Sequence, residues 1–180
     1  MAARCQEMTR ILGGKHRGRP LKVPRSGLRP SMGQLKGALF SIIGPSIEGA
    51  RFLDLFAGSG AVGLEALSRG AALACFVERD RKGCSIIKEN ISLLGEEGEV
   101  VAADVDSFLG AYRGPPFDLI FADPPYGLEW EPSRLIPLLR PGGSCFIEEG
   151  RGAPPPDLSP LVWVKERRYG GSSLYEWRAT

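Results

Sequence analysis

The sequence predicts an α/β fold built on one parallel sheet, and two observations support this prediction. Apolar runs of strand length alternate with segments in which apolar residues recur at helical spacing. Four of these runs also end in an acidic residue. The predicted parallel strands lie at residues 52–56, 73–77, 100–103, 117–122 and 144–148. Residues 161–178 carry a Gly-Gly turn between two further runs, which predicts a closing antiparallel hairpin.

Helical spacing of apolar residues marks four segments, at residues 35–43, 64–69, 81–94 and 130–139. Gly70 and Gly95 provide stops for the second and third helices, because glycine readily adopts the left-handed conformation that ends a helix. Pro132 and Pro137 fall inside the fourth segment, so we expect that helix to be short or irregular.

Length and composition indicate one domain, residues 1–180, of the ordinary globular type. The chain is 43% apolar and 24% charged. It contains no membrane-length run and no signal-peptide pattern, so we expect a cytoplasmic protein. His16 is the only histidine, which excludes a His-based triad or a zinc site built on histidine. The cysteines share no metal-ligand spacing, so we expect reduced thiols and no metal; they are Cys5, Cys75, Cys84 and Cys145.

The segment Asp123-Pro124-Pro125-Tyr126 directly follows the predicted strand 117–122. Two prolines cannot continue the hydrogen-bond ladder of that strand, so the chain must form a rigid corner there. The corner presents a carboxylate, an unpaired carbonyl and an aromatic ring, which together suit a planar amine. We therefore predict Asp123, Pro124 and Tyr126 as catalytic residues. The alternative is a turn that only ends a strand.

A glycine-rich turn follows the first predicted strand of the parallel sheet. Gly58, Gly60 and Gly63 satisfy G-x-G-x-x-G, so a dinucleotide-binding oxidoreductase is one interpretation. Asp54 stands just before this turn, where it would repel a pyrophosphate, and the chain is too short for a second mononucleotide-binding half. A cofactor with cationic sulfonium and ammonium groups suits the acid better. We expect S-adenosylmethionine (SAM), bound against Asp54 and the turn that includes Ala57, Gly58 and Gly60.

Two further acids end predicted strands and extend the cofactor site. Glu78 follows the strand 73–77, where an acid can accept hydrogen bonds from both ribose hydroxyls. Asp104 follows the strand 100–103 and is placed to accept a hydrogen bond from an adenine amino group. Ligands of parallel sheets bind at the carboxyl ends of the strands, so these acids should meet at one edge. A single acid of this kind is usually a helix cap or a solvated charge.

A basic arm, residues 1–30, precedes the catalytic body, residues 31–180. Residues 1–36 hold nine Lys/Arg against one acid, whereas residues 37–150 hold nine basic and seventeen acidic residues. Two short runs flank a glycine-bounded basic turn, which predicts a β-hairpin that presents its charges at the tip. Such charges suit phosphate backbones. The predicted RNA contacts are Arg10, Lys15, Arg17, Arg19 and Arg29.

Together, these motifs resemble a known family, the bacterial 16S ribosomal RNA guanine-N2 methyltransferases, which depend on SAM. The resemblance covers nearly the whole chain and is carried by residues 10–19, 29–31, 54–60, 123–126 and 165–170. It implies the Rossmann-like sheet of class I SAM-dependent methyltransferases, with a closing hairpin and an N-terminal β-hairpin arm. It also implies 16S rRNA or an assembling small ribosomal subunit as partner, and a monomer without metal or membrane.

The resemblance gives the corner a mechanism. Asp123 and the carbonyl of Pro124 would accept the two hydrogens of the guanine amino group and so localise the nitrogen lone pair. Tyr126 would stack on a base that has left its helix or loop. Since the sulfonium methyl is already activated, the enzyme would contribute mainly alignment of nitrogen, methyl and sulfur.

The first helix departs from the family pattern. The family usually carries acid and arginine where this chain has Gly33, Gln34 and Gly37. Glycine inside a helix costs roughly 1 kcal/mol relative to alanine, so we expect a looser helix. Ser31 and Gln34 are spaced as a capping box for it.

Alternative functions remain open at this point. The same corner serves DNA adenine-N6 and protein glutamine-N5 methyltransferases, although the basic hairpin and the missing DNA-recognition domain weigh against both. A non-catalytic RNA-binding protein would also keep the arm, but the intact Asp123 and glycine turn weigh against it.

Overall fold

The computed structural model describes residues 9–24 and 32–180, and it confirms the predicted α/β architecture. The helices are α1 (Met32–Ile43), α2 (Ala61–Ser68), α3 (Arg81–Leu94) and α4 (Val105–Ala111), with two 3-10 helices at Gly44–Ile47 and Pro132–Leu138. The strands are β1 (Thr9–Arg10), β2 (Pro20–Leu21), β3 (Arg51–Leu55), β4 (Leu73–Glu78), β5 (Glu99–Ala102), β6 (Phe117–Ala122), β7 (Leu139–Gly150), β8 (Val162–Tyr169) and β9 (Ser172–Arg178).

Seven strands form one sheet in the order β5-β4-β3-β6-β7-β9-β8. The first five of these are parallel, and β9 runs antiparallel between β7 and β8, as predicted for the closing hairpin. The strand order reverses between β3 and β6. In open α/β sheets the crevice at such a reversal, at the carboxyl ends of the strands, is where ligands bind.

The fold departs from the predicted elements in two places and confirms a third expectation. Helix α4 was not predicted, because its seven residues carry too few apolar positions to show a period. The helix at 130–139, expected to be short or irregular, is a 3-10 helix at Pro132–Leu138 with Pro137 inside it, since proline removes an α-helical hydrogen bond. Strand β7 begins at Leu139 rather than at 144, because an irregular register beside β6 accommodates Gly142 at φ 75°.

Helix α1 is continuous despite its two glycines. A Cβ placed on Gly37 would lie 3.7 Å from the side chain of Leu12, so the arm runs close to this helix, whereas Gly33 faces open space. The capping box proposed with Ser31 lies outside the described residues.

The arm forms the predicted hairpin, but its strands have only two residues each, and its turn does not project freely. Ile11 and Leu21 are 1% exposed and pack in the core with residues of α2 and β4 such as Leu64 and Phe76. The backbone N–H groups of Leu12 and Gly13 donate to the buried carboxylate of Glu65, each at 2.8 Å. Residues 9–24 of the arm are therefore an integral part of the folded body.

Three of the four cysteines are free and buried, namely Cys75, Cys84 and Cys145, while Cys5 lies outside the described residues. Over residues 9–24 and 32–180, no group of three or more potential metal ligands is found. Within the same ranges, the helices are too short or too polar to cross a bilayer.

Candidate active site

A cavity of about 270 Å³ opens at the carboxyl ends of β3, β4 and β6, beside the reversal of strand order. Three of the predicted site residues, Glu78, Asp104 and Asp123, line it. The other lining residues are Phe56, Val77, Arg79, Ala103, Val105, Asp106, Pro125, Leu128, Glu129 and Trp130. The structure thus gathers acids that are far apart in the sequence around one cavity.

The Asp-Pro-Pro-Tyr corner forms one wall of this cavity. Its start is tied to the neighbouring strand, because the backbone N–H of Asp123 donates to the carbonyl of Leu55 at 3.4 Å. Pro124 is buried, whereas the ring of Tyr126 is 49% exposed and its hydroxyl lies 3.4 Å from Ser172 Oγ. The corner therefore presents a carboxylate to the cavity at Asp123 and an exposed aromatic ring at Tyr126, which is not itself part of the cavity lining.

The glycine turn follows Phe56, and its predicted cofactor residues Ala57, Gly58 and Gly60 are not part of the cavity lining. The turn takes a shape that few other residues allow. Its backbone enters the left-handed region at Phe56 (φ 60°) and again at Gly58 and Gly60. A Cβ on Gly63 would lie 2.3 Å from the ring of Phe76, so only glycine lets α2 pack this closely on β4. The turn is held by Gly60 N–H, which donates to the carbonyl of Ala57 at 2.7 Å.

Asp54 lies beneath the turn rather than along the cavity wall. Its side chain is 2% exposed and accepts the backbone N–H of Gly63 at 2.8 Å, close to the start of α2. Burial raises the pKa of this carboxyl to about 8, although the Gly63 hydrogen bond opposes the shift; the charges of Asp123 and Glu78 add to it. Asp54 therefore helps to shape the turn, and its ionisation responds to the charge around the cavity.

Glu78 holds two backbone segments that border the cavity. One carboxylate oxygen accepts the N–H of Gly58 at 2.7 Å, and the other accepts the N–H of Asp80 at 2.8 Å. Each oxygen keeps a second lone pair, so further hydrogen bonds to hydroxyl groups are possible. Glu78 thus joins the glycine turn to the start of α3.

Asp104 caps α4 while it faces the cavity. Its side chain accepts the backbone N–H of Ser107 at 2.9 Å, and its hydrogen bonds to Ser107 hold its pKa below the usual range. An ionised, exposed carboxylate at this place is available to accept a hydrogen bond from an amino group.

The sequence interpretation missed the apolar walls of the cavity. The rings of Phe56 and Trp130 meet edge to face with centroids 5.3 Å apart, and Leu128 lies nearby in the same lining. Such walls suit a flat ring such as adenine. Phe56 lies two residues after Asp54, at the end of a strand and directly before the glycine-rich turn, and this position was the available signal. Trp130 lies in a segment predicted as helix, so nothing in its pattern indicated the cavity.

None of the described basic residues of the arm lines the cavity; Lys15 bonds to α2 through its backbone, and Lys22 pairs with Glu89 on α3. Arg10, Lys15, Arg17 and Arg19 are exposed, and Arg29 lies outside the described residues. Lys15 forms an ion pair of 2.8 Å with Glu96, which also contacts His16. Because Lys15 is paired with Glu96, the charges at the hairpin tip that are predicted to contact RNA come mainly from the arginines.

Comparison with known proteins agrees with the fold. The family described as conserved hypothetical protein 95 matches residues 9–178. Ribosomal RNA small subunit methyltransferase D of Haemophilus influenzae is 35% identical over 89% of each chain, and that of Escherichia coli is 47% identical over 65% of this chain. The match spans 60% of the Escherichia coli protein. The solved structure of the Escherichia coli protein yhhF has a TM-score of 0.82 and 35% identity, covering 96% of this chain and 98% of that one.

The strand order and the strand-end cavity define the Rossmann-like fold of the class I SAM-dependent methyltransferases. The match over residues 9–178 and the relative from Haemophilus influenzae then fix the family. The chain belongs to the conserved hypothetical protein 95 family, together with the small-subunit ribosomal RNA methyltransferases D.

Proposed function

We propose that this protein transfers a methyl group from SAM to the exocyclic 2-amino group of a guanine in 16S rRNA. The observation that carries the proposal is the corner, where Asp123 faces the cavity and the exposed Tyr126 ring lies three residues further along the chain. A carboxylate and a stacking surface at this spacing suit an amine on a planar base. Small-subunit rRNA as the substrate is supported by the relatives, which are named small-subunit ribosomal RNA methyltransferases.

The residues around the cavity fit SAM as the cofactor. Glu78 has free lone pairs for ribose hydroxyls, Asp104 is an ionised acceptor, and Phe56 and Trp130 provide apolar walls for a flat ring. The acidic lining suits a cationic ligand and disfavours the pyrophosphate of a dinucleotide. When bound, SAM supplies an activated methyl group.

The protein's own residues would align the target nitrogen. Asp123 and the Pro124 carbonyl would accept the two amino hydrogens, which favours a pyramidal nitrogen with a localised lone pair. Tyr126 would stack on the base and hold it against the cavity. The proton leaves the nitrogen only as or after the new bond forms, so Asp123 needs to be an acceptor and not a strong base.

The basic arm would contact the RNA backbone through Arg10, Lys15, Arg17, Arg19 and Arg29. Its exposed arginines and its fixed position on α2 and α3 support this role. As a working picture, the protein acts as a monomer in the cytoplasm, on rRNA or on an assembling small subunit.

Transfer of tritiated methyl groups to unmodified 16S rRNA, followed by nucleoside mass spectrometry, tests the proposal. We expect N2-methylguanosine, and we expect Asp123→Ala to abolish the signal. Asp157→Ala, which removes an exposed surface carboxylate, is the matched control and should keep it. N6-methyladenosine, methylated glutamine in a protein substrate, or RNA binding without any transfer would each replace the guanine assignment.

A further inference from the structure

The side chain of Asn90, on α3, joins the arm to the cofactor turn. It is 0% exposed, and both kinds of polar atom in its amide are used. Oδ1 accepts the backbone N–H of Lys22 at 2.8 Å. Nδ2 donates to the carbonyl of Lys22 at 3.0 Å and to the carbonyl of Ser59 at 3.2 Å. One buried amide thus bonds the backbone of the arm and the backbone of the glycine turn.

The same face of α3 supports the turn at two other places. A Cβ on Gly83 would lie 3.1 Å from the carbonyl of Gly58, and a Cβ on Gly60 would lie 3.1 Å from the side chain of Ile87. Positions 83, 87 and 90 are spaced by four and three residues, so they lie along one helix face. A shift of the arm at Lys22 therefore acts on a helix that has little room to move without moving the turn.

We propose that Asn90 is a positioning residue that couples the arm to the cofactor turn, so that binding at either place changes the affinity at the other. The inference rests on the proposed function, because it takes the turn as the SAM site and the arm as the RNA contact. Its basis is a direct chain of hydrogen bonds, Lys22 to Asn90 to Ser59, in which Asn90 and Ser59 are buried. A purely structural asparagine would satisfy the same polar atoms without transmitting a ligand's effect.

Residue-resolved amide hydrogen exchange with S-adenosylhomocysteine as the probe tests this coupling, because that product analogue cannot transfer a methyl group. We expect the probe to slow exchange of the Lys22 amide by about 5-fold or more, the lower end of typical coupling between sites. The Lys15 amide donates to the carbonyl of Ser68 on α2 and serves as an internal control, which should change less.

Two variants separate coupling from folding. In Asn90→Ala, exchange at Lys22 should no longer respond to the probe. Glu89→Gln is the matched control, because Glu89 precedes Asn90 on the same helix and pairs with the same arm residue, but through the exposed Lys22 ammonium at 2.7 Å. This variant should keep the response. If Asn90→Ala fails to fold, the comparison of Lys22 with Lys15 in the unaltered protein still decides the matter.

Binding of an unmodified 16S rRNA transcript provides the reciprocal measurement. The probe should change the affinity for RNA by some factor, and RNA should change the affinity for the probe by the same factor, since coupling between two sites is mutual. Probe binding that leaves both Lys22 exchange and RNA affinity unchanged would overturn the coupling alone. Failure of the unaltered protein to bind the probe would instead overturn the cofactor assignment, and the coupling with it.

Discussion

Lys36 and Glu65 form an ion pair of 3.1 Å in which the two side chains are 1% and 0% exposed. The ammonium of Lys36 also donates to the carbonyl of Arg10, and Glu65 accepts the arm amides of Leu12 and Gly13. Burial lowers the pKa of Lys36, and the charge of Glu65 opposes that shift. The pair therefore fastens α1, α2 and the arm to one another in the interior.

We predict that Glu65→Ala lowers the free energy of unfolding by about 3–5 kcal/mol, because it leaves the buried Lys36 ammonium without its counter-charge and two arm amides without their acceptor. Urea unfolding followed by tryptophan fluorescence measures this loss. Lys36→Met is the comparison: it removes the buried charge, and Glu65 keeps Arg69 as its partner at 2.7 Å, so the loss should be smaller. Equal stability of Glu65→Ala and the unaltered protein would show that the arm is not held in this way.

The carboxyl of Asp54 should make the stability depend on pH. Its pKa is about 8 in the folded protein and about 4 in the unfolded chain, so its stabilising contribution is complete below pH 4 and is lost as the pH rises to about 8. The slope is at most about 1.4 kcal/mol per pH unit. Asp54→Asn cannot ionise, so between pH 5 and pH 9 it should lose less stability than the unaltered protein. Parallel pH profiles in urea unfolding would contradict the shifted pKa.

Glu78→Ala should weaken SAM binding for two physical reasons. The ribose hydroxyls lose their proposed acceptor, and the Gly58 amide loses the bond that holds the turn. The cost of such unsatisfied groups is about 1–3 kcal/mol, which corresponds to roughly 5- to 150-fold in Kd by calorimetry. NAD should bind to neither form. Tight NAD binding by the unaltered protein would restore the oxidoreductase interpretation.

Tyr126 should act through its ring and not through its hydroxyl. Its hydroxyl lies at the long distance of 3.4 Å from Ser172 Oγ, whereas 49% of the residue is exposed and the ring is accessible for stacking. Tyr126→Phe should therefore keep methyl transfer, and Tyr126→Ala should lose about 1–3 kcal/mol of stacking, measured as kcat/KM for RNA. Equal loss in both variants would assign the role to the hydroxyl.

The exposed arginines of the arm should set the salt dependence of RNA binding. Arg17→Ala should reduce the slope of log affinity against log salt by about one unit, because one phosphate contact is lost. Lys15→Ala should reduce it less, because Lys15 is paired with Glu96. Binding measured at several salt concentrations gives both slopes. An unchanged slope in Arg17→Ala would remove the arm from the RNA interface.

The sequence by itself determined the strands, the glycine turn and the proline corner, because these depend on local rules. A buried strand needs an apolar run, Gly63 must lack a side chain beside Phe76, and two prolines must end the β6 ladder. Asp54, Glu78, Asp104 and Asp123 were expected at one edge, since the carboxyl ends of parallel strands meet there, but Asp54 lies beneath the turn and not in the cavity lining. Glu78, Asp104 and Asp123 follow that rule.

Only the tertiary structure decided how the arm and the turn are fixed. In the sequence, Glu65 is one of several acids on predicted helices, and Asn90 is one of several polar residues. In the folded structure, both are buried against backbone groups of the arm that need hydrogen-bond partners. The placement of Asp54 beneath the turn, and its raised pKa, likewise follow from burial among other carboxylates. Burial and the pairing of distant backbone groups depend on contacts between residues that are far apart in the sequence, so no local sequence pattern predicts them.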